Sequence, residues 1–364
     1  MMDGLMIFLP QTIFVSLVSF FAAILLMPRL ANIAARVGFL DHPGSRKIHT
    51  APKPFVGGLG MILSYAMTSI LFVPLTGLRG YFAGVILLFI VGFLDDYKEL
   101  GHRWKFLAQI CASLLMIFLS KTYLMTFGNL LTFGDITFGV MTVPLTIFCI
   151  VGITNAINMV DGMDGLAGGI SLIASLAFTV LCYVGGLWEY FLLSLALSGA
   201  IIGFLRFNWF PARVFMGDSG SLFLGFSLVF LSIIITQAEG SIVRPVVPLI
   251  ILATPIADTL TLMTKRVMAG KSPFHADRYH LHHILVHMGL SRPAAVGVIL
   301  FVSAVFAGIA ILGTVYRVPE HYLFMLFMMY FTAYFTTSFF LKEIMQYVLR
   351  SRVRARVQIL MMKH

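Results

Sequence analysis

Apolar runs long enough to cross a bilayer follow one another along this whole chain, separated by short polar segments. A spanning helix takes about 20 apolar residues. On that measure eleven spans fall at about 5–28, 55–76, 80–94, 105–124, 139–157, 165–186, 190–206, 219–237, 244–264, 294–315 and 319–341, the third and seventh being short. No intervening segment is long enough to fold alone, so residues 1–341 read as a single transmembrane domain. The chain is 59% hydrophobic and 11% charged, against ~25% charged in soluble domains. The expected fold class is therefore an all-α polytopic membrane protein. Its first run has no basic n-region and no small-residue cleavage site, which predicts a retained span and not a removable signal. Cys111, Cys149 and Cys182 all lie inside apolar runs and form neither a disulfide framework nor a metal-ligand spacing.

The polar segments divide unequally between the two faces of the bundle. One face takes the segments after spans 1, 3, 5, 7 and 9 and the C-terminal tail. Only Arg79, Lys121, Arg244 and Arg317 fall on the other, so the first face carries 21 of the 25 Lys and Arg. Basic residues mark cytoplasmic loops. The N-terminus is thus expected outside and the C-terminus in the cytosol. The same rule gives the net charge of +10 an ordinary cause, and no basic motif of a nucleic-acid binder is present. Ten of the fifteen acids also lie on the basic face or, in the case of Asp258, inside the ninth span. Acids contribute little to orientation, so their clustering needs another reason.

Five constellations supply one. Asp95-Asp96 closes the third span; two adjacent carboxylates near lipid repel each other, and a divalent cation would offset that cost, as Mg²⁺ is held by one or two carboxylates plus substrate phosphates. The bland alternative is a solvated acidic helix end. In NAINMVDGMDGLAGG, residues 155–169, Asn155, Asn158, Asp161 and Asp164 recur every third residue. Gly162 and Gly165 break a helix there, so a loop between the fifth and sixth spans is expected to present all four. Gly168 and Gly169 read as close helix packing. In FNWFPARVFMGDSGS, residues 207–221, Asp218 opens the eighth span, where an N-cap and a metal ligand are compatible roles. Phe215 alone reads as core.

The fourth is the segment 271–289, in which His280, His282 and His283 gather with Lys271 and Arg278. With basic neighbours and no cysteine, phosphate or sugar contacts suit it better than a transition metal. The fifth, residues 41–58, is punctuated by Pro and Gly around Arg46, Lys47 and His49, a phosphate-compatible loop. Asp258 lies inside the ninth span and reads as part of a structural network. Residues 342–364 place Leu349, Val353, Val357 and Met361 in one row and arginines in others, as in a basic amphipathic helix lying on anionic lipid. A secondary transporter would put its charges near the bilayer midplane, where only Asp258 clearly lies. A non-catalytic scaffold would be expected to lose some of the acids.

Carboxylates, Gly turns and cations on a lipid-flanked cytosolic face describe phosphoryl chemistry on a lipid phosphate, which is mostly positioning and charge neutralisation. In DDYKEL, NAINMVDGMDGLAGG and PARVFMGDSGS, in order between about residues 29 and 290, the chain resembles the polyprenyl-phosphate N-acetylhexosamine-1-phosphate transferases. These are eleven-span proteins of the bacterial inner membrane that move a sugar-1-phosphate from a UDP-sugar to undecaprenyl phosphate and release UMP. The segment ADRYHLHH looks like the branch using UDP-GlcNAc to start O-antigen, enterobacterial common antigen or teichoic acid linkage units. The phospho-N-acetylmuramoyl-pentapeptide transferases usually show three consecutive His instead. UDP-GalNAc or another amino sugar stays open as donor, and so does homodimer formation. The resemblance implies Mg²⁺, or Mn²⁺, on Asp218 with Asp95, Asp96 and Asp161 close by. It implies activation of the lipid phosphate by Asp95 or Asp96. Asn158, Asp161, Asp164, Asn208 and Phe215 would shape the nucleotide pocket. Lys47, His49, Lys105, Arg278, His280, His282 and His283 would meet phosphates or sugar. Direct displacement and an aspartyl-phosphate intermediate both remain compatible with the residues.

Overall fold

The computed structural model describes residues 2–41, 51–98, 100–272 and 280–361, with side chains from residue 12 to residue 340. Lys47, His49 and Arg278 lie outside the described residues, as do the side chains of 342–364 on which the amphipathic reading rests.

Thirteen α-helices are described: α1 (Met2–Val37), α2 (Gly57–Phe72), α3 (Arg79–Lys98), α4 (His102–Ser120), α5 (Thr142–Val160), α6 (Leu166–Val184), α7 (Trp188–Asn208), α8 (Gly217–Gln237), α9 (Val246–Ile251), α10 (Ala253–Met268), α11 (Leu281–His287), α12 (Arg292–Val315) and α13 (Glu320–Met361). Two short strands, β1 (Leu40–Asp41) and β2 (Lys53–Pro54), pair antiparallel with Asp41 opposite Lys53. Among the described residues nine helices are long and apolar enough to cross a membrane.

The two remaining expected spans differ for local reasons. The second is α2, with only 16 residues. The ninth, expected at about 244–264, is broken at Leu252 into α9 and α10. Pro255 has no N–H for the carbonyl of Ile251 and its ring crowds that carbonyl, which ends the regular ladder there. Toward the other end of the chain, α13 runs without a break past residue 341, after which the tail was expected to begin.

Helix α8 is the axis of the bundle: nearly all of it is buried, from Ser219 to Thr236. Its apolar side chains include Phe223, Phe226 and Phe230, all without exposed surface. Phe230 stacks on Tyr81 of α3 at 4.2 Å between ring centroids. The Tyr81 hydroxyl lies 2.9 Å from that of Tyr65 and 2.8 Å from the Ser227 hydroxyl, so a hydrogen-bonded chain ties α2, α3 and α8 within the apolar interior. Polar links of this kind, together with small residues, replace the hydrophobic drive that lipid cannot supply.

Small residues also set how closely α3 approaches α8. A Cβ on Gly92 would lie 2.5 Å from Ser219 Cα. That contact stands directly above Asp95 and Asp96, so the helix spacing and the acid positions are one problem. Gly92→Ala is therefore expected to lower stability by about 1–3 kcal/mol through overpacking. Thermal unfolding of the purified protein in detergent checks this, a melting temperature equal to wild type being the contrary result.

Candidate active site

The site is built at one end of the bundle, where α3, α4, α5 and α8 converge. Asp95 and Asp96 belong to the last turn of α3. Neighbours on a helix diverge by about 100°, so the two carboxylates take different partners. Asp96 reaches the start of α8. Its Oδ1 accepts the backbone N–H of Asp218 at 2.7 Å, and its Oδ2 accepts the backbone N–H of Ser219 at 3.2 Å and the Ser219 hydroxyl at 3.0 Å. A helix start leaves its first N–H groups without internal partners and carries partial positive charge. Asp96 satisfies both from a neighbouring helix. Gly217, at φ +73°, makes the approach possible: a Cβ there would lie 2.5 Å from Asp96 Oδ2.

Asp218 is thus not the N-cap that its position suggested. Its side chain turns outward from α8 and collects two donors. Asn158 Nδ2 donates to its Oδ1 at 3.0 Å, and Lys105 Nζ donates to its Oδ2 at 2.5 Å. The same ammonium lies 3.0 Å from Asp95 Oδ2. The second oxygen of Asp95 is buried and has no hydrogen-bond partner. An unpaired carboxylate oxygen costs about 1–3 kcal/mol or more when buried. An additional cation or proton donor would relieve that cost.

The expected loop of Asn and Asp residues divides between helix and turn. Asn155 and Asn158 remain in α5, which continues to Val160 because no helix breaker intervenes before Gly162. Asn155 turns away from the acids and pairs its amide with that of Gln109 on α4, donating from Nδ2 to Oε1 at 2.6 Å. This pair lies one helical turn below Lys105 and Asn158 and fixes the register of α4 against α5. Asp161 and Asp164 follow in the turn, which Gly165 closes at φ +77°. Asp164 Oδ2 accepts the N–H of Ala212 at 2.9 Å. Asn208 accepts the N–H of Gly165 through Oδ1 and donates to the carbonyl of Val214 through Nδ2, each at 2.9 Å. These two side chains therefore hold the turn against the segment 209–214. Asp161 keeps part of its surface open to the cavity but is otherwise enclosed. Burial, then the charges of Asp218, Asp96 and Asp164, push its carboxyl up to about 7. Gly168 and Gly169 pack as expected, a Cβ on the latter lying 2.7 Å from Leu300.

A cavity of about 1070 Å³ opens beside the acids. Asp95, Asp96, Asn158, Asp161, Asp164, Asn208, Phe215 and Asp218 line it. So do Asp41, Lys53 and Arg292, which sequence reasoning passed over. The β1–β2 pairing explains the first two, since it folds both ends of the segment 41–54 onto the cavity. Phe215 is not core: Lys53 Nζ stands 4.9 Å from its ring centroid, and Phe55 lies 6.2 Å away. Arg292 follows a short apolar stretch and precedes Pro293, a helix-start pattern that could have drawn attention to it. Lys105 sits behind the acids and is not part of the lining. His280, His282 and His283 are not part of it either. Their closest approach to the site is His282, whose Nε2 would lie 2.7 Å from a Cβ on Gly162. Burial, then His283 and His280, push the His282 imidazole down to about 3, so it is neutral at physiological pH.

Among the described residues no three His, Cys, Asp or Glu side chains converge as a preformed cation cage. Two carboxylates, Asp95 and Asp218, do face a common cation, the ammonium of Lys105, and Asp95 keeps an unpaired oxygen. That donor set fits Mg²⁺, which takes one or two carboxylates and completes its shell with water and substrate phosphates.

Residues 78–236 match the family described as Glycosyl transferase family 4, a stretch containing Asp95, Asp96, Asp161, Asp164 and Asp218. A protein of Bacillus subtilis named probable undecaprenyl-phosphate N-acetylglucosaminyl 1-phosphate transferase is 34% identical over 302 residues, 80% of this chain and 82% of its own length. Proteins named undecaprenyl-phosphate alpha-N-acetylglucosaminyl 1-phosphate transferase are 35% identical in Haemophilus influenzae, over 87% of this chain and 90% of theirs, and 30% identical in Escherichia coli K12, over 82% and 83%. The chain belongs to this transferase family. Within the family frame the acids divide by geometry: Asp96 is committed to the start of α8, whereas Asp95 has an oxygen to spare. Asp96→Asn replaces an acceptor by an NH₂ group facing N–H donors, and should lower stability by about 1–3 kcal/mol. Asp95→Asn should leave the melting temperature at or above that of wild type. Unfolding scans of the two variants side by side check the ordering; equal losses would contradict it.

Proposed function

We propose that this chain transfers GlcNAc-1-phosphate from UDP-GlcNAc to undecaprenyl phosphate, forming undecaprenyl-diphospho-GlcNAc and UMP and so starting a cell-envelope polysaccharide. What carries the reading is the Asp95–Asp218 pair beside a cavity of about 1070 Å³, in a family whose relatives are named for this transfer. Small-molecule sites run to about 1,000 Å³, so the cavity suits a sugar nucleotide. The asymmetry of basic residues supports a cytosolic position for this end of the bundle, on the donor's side of a bacterial inner membrane.

In the reaction an oxygen of the lipid phosphate bonds to the phosphorus that carries the sugar. The bond from that phosphorus to the bridging oxygen breaks, and UMP departs. A phosphomonoester has a second pKa of about 6, so the nucleophile is largely ionised at neutral pH. The carboxylate of Asp95, beside Asp218, is the acceptor for the remaining proton. Lys105 places a fixed positive charge behind the transferring group. Phe215, with Lys53 over its ring, offers a stacking face for the uracil, and Arg292 adds charge to the cavity wall. Asp95 and Asp218 would hold Mg²⁺ or Mn²⁺, which when bound neutralises charge on the donor's diphosphate.

The test is a donor panel. Purified protein with undecaprenyl phosphate and Mg²⁺ should release UMP from UDP-GlcNAc at least about 10-fold faster than from UDP-GalNAc or UDP-MurNAc-pentapeptide, since a pocket built to hydrogen-bond one sugar rejects others more strongly than that. Equal rates on all three would defeat the donor assignment. Asp218→Ala should lose turnover by about 10²-fold or more, and chelation should abolish it in wild type. Full turnover by that variant would remove Asp218 from the metal site.

A further inference from the structure

Asp258 takes no part in the lining of the cavity, yet both of its carboxylate oxygens are filled. It lies in α10 with 3% of its surface exposed. Its Oδ2 is 2.9 Å from His280 Nδ1. Its Oδ1 accepts the backbone N–H of Leu281 at 2.9 Å and the hydroxyl of Tyr334 at 2.5 Å. One carboxylate thus ties α10 to the start of α11 and to α13. A carboxylate only accepts, so the Nδ1 of His280 carries the proton and the tautomer is fixed.

From His280 the contact passes on toward the site. Its ring stacks on that of His282, with centroids 5.4 Å apart and planes within 10°. His282 is 2% exposed and abuts Gly162, in the turn between Asp161 and Asp164. The same helix start sets the direction of α11, and α12 follows after a short connection with Arg292, Pro293 and Val296 in the cavity wall. The side of the cavity made by the Gly162 turn and Arg292 therefore rests on α11, and α11 rests on Asp258.

We infer that Asp258 is a positioning residue for the donor side of the cavity, acting through His280, the stacked His282 and the start of α11. It touches neither substrate. This rests on the transferase reading only for the kinetic arm of its test. Asp258→Asn keeps the shape and keeps an acceptor for Leu281 and Tyr334, but turns an NH₂ toward His280 and so demands the other tautomer. A displacement of about 1 Å at a site can cost 10²-fold. The variant should raise the KM for the UDP-sugar by about 10-fold or more, and leave the KM for undecaprenyl phosphate within about 2-fold and kcat within about 3-fold. His280→Gln, which still donates to Asp258 but cannot stack on His282, should give the same split, and stands in if Asp258→Asn does not fold.

The second arm needs no substrate. Diethyl pyrocarbonate modification of the intact protein, read peptide by peptide, should reach His282 about 10-fold faster in the variant than in wild type, since it loses its stacked cover. If wild type proves inactive on every UDP-sugar, the functional reading fails and this arm still decides the placement. Unchanged donor KM in a folded active variant, equal changes in both KM values, or unchanged His282 labelling would each overturn the inference. A purely stabilising role would lower the melting temperature without separating the two KM values.

Discussion

The carboxylate of Asp96 on the first turn of α8 is the contact on which the rest of the site depends. α8 is buried along most of its length, and its first N–H groups lie among protein groups at the edge of the cavity. A helix end left unpaired there would be costly. Asp96 fills it from α3, and only because Gly92 and Gly217 leave room for the two backbones to meet. The consequence is geometric. With its backbone held by Asp96, Asp218 can point its side chain away from its own helix, toward Asn158 on α5 and Lys105 on α4. Four helices thereby become the four walls of one acid cluster.

That cluster has an electrostatic excess. Asp95 and Asp218 share the ammonium of Lys105, and Asp96, Asp161 and Asp164 line the same cavity. Unit charges about 4 Å apart interact by about 4 kcal/mol at the effective dielectric of a protein surface, so several unscreened carboxylates cannot all be ionised cheaply. The molecule meets this unevenly. Asp96 is held by helix N–H groups, Asp218 by Lys105 and Asn158, and Asp164 by Ala212 N–H. Burial, then the charges of Asp218, Asp96 and Asp164, push Asp161 upward. Asp95 is left half-compensated.

The bundle was largely legible from the apolar runs, because each helix that crosses lipid must satisfy its backbone internally and so declares itself by length. The break at Leu252 was legible only in principle: Pro255 lies in a run that hydropathy alone reads as continuous. The acids were legible as a set because membrane orientation cannot explain them. Their roles were not. Asp95 and Asp96 are indistinguishable as adjacent letters, and only the helix phase and the place of α8 assign one to capping and leave the other free. Asp164 and Asn208, expected to meet the nucleotide, spend hydrogen bonds on holding their turn. Asp41 and Lys53 were hidden because their placement depends on a two-residue strand pairing that has no pattern of its own. Taken alone Phe215 read as core, because an aromatic in an apolar context gives no sign of which side of a wall it occupies, and only the resemblance put it in the pocket.

Asp258 shows the same limit from the opposite direction. In sequence it is an acid inside an apolar run, about two turns from the nearest loop, and a structural role followed from distance alone. The fold returns the histidine segment to it, so the distance along the helix is irrelevant. Burying a carboxylate is tolerated when its oxygens are filled, and here the donors come from two other elements. Tyr334 joins α13 to this point, and Lys265 of α10 adds a second tie by donating to the hydroxyl and carbonyl oxygens of Ser338. The long C-terminal helix is therefore fastened to the element that carries Asp258, and through it to the histidines and the Gly162 turn. In an apolar bundle, where packing alone is weakly directional, such filled polar contacts determine which helix meets which, and the one at Asp258 extends that control from the interior to the rim of the cavity.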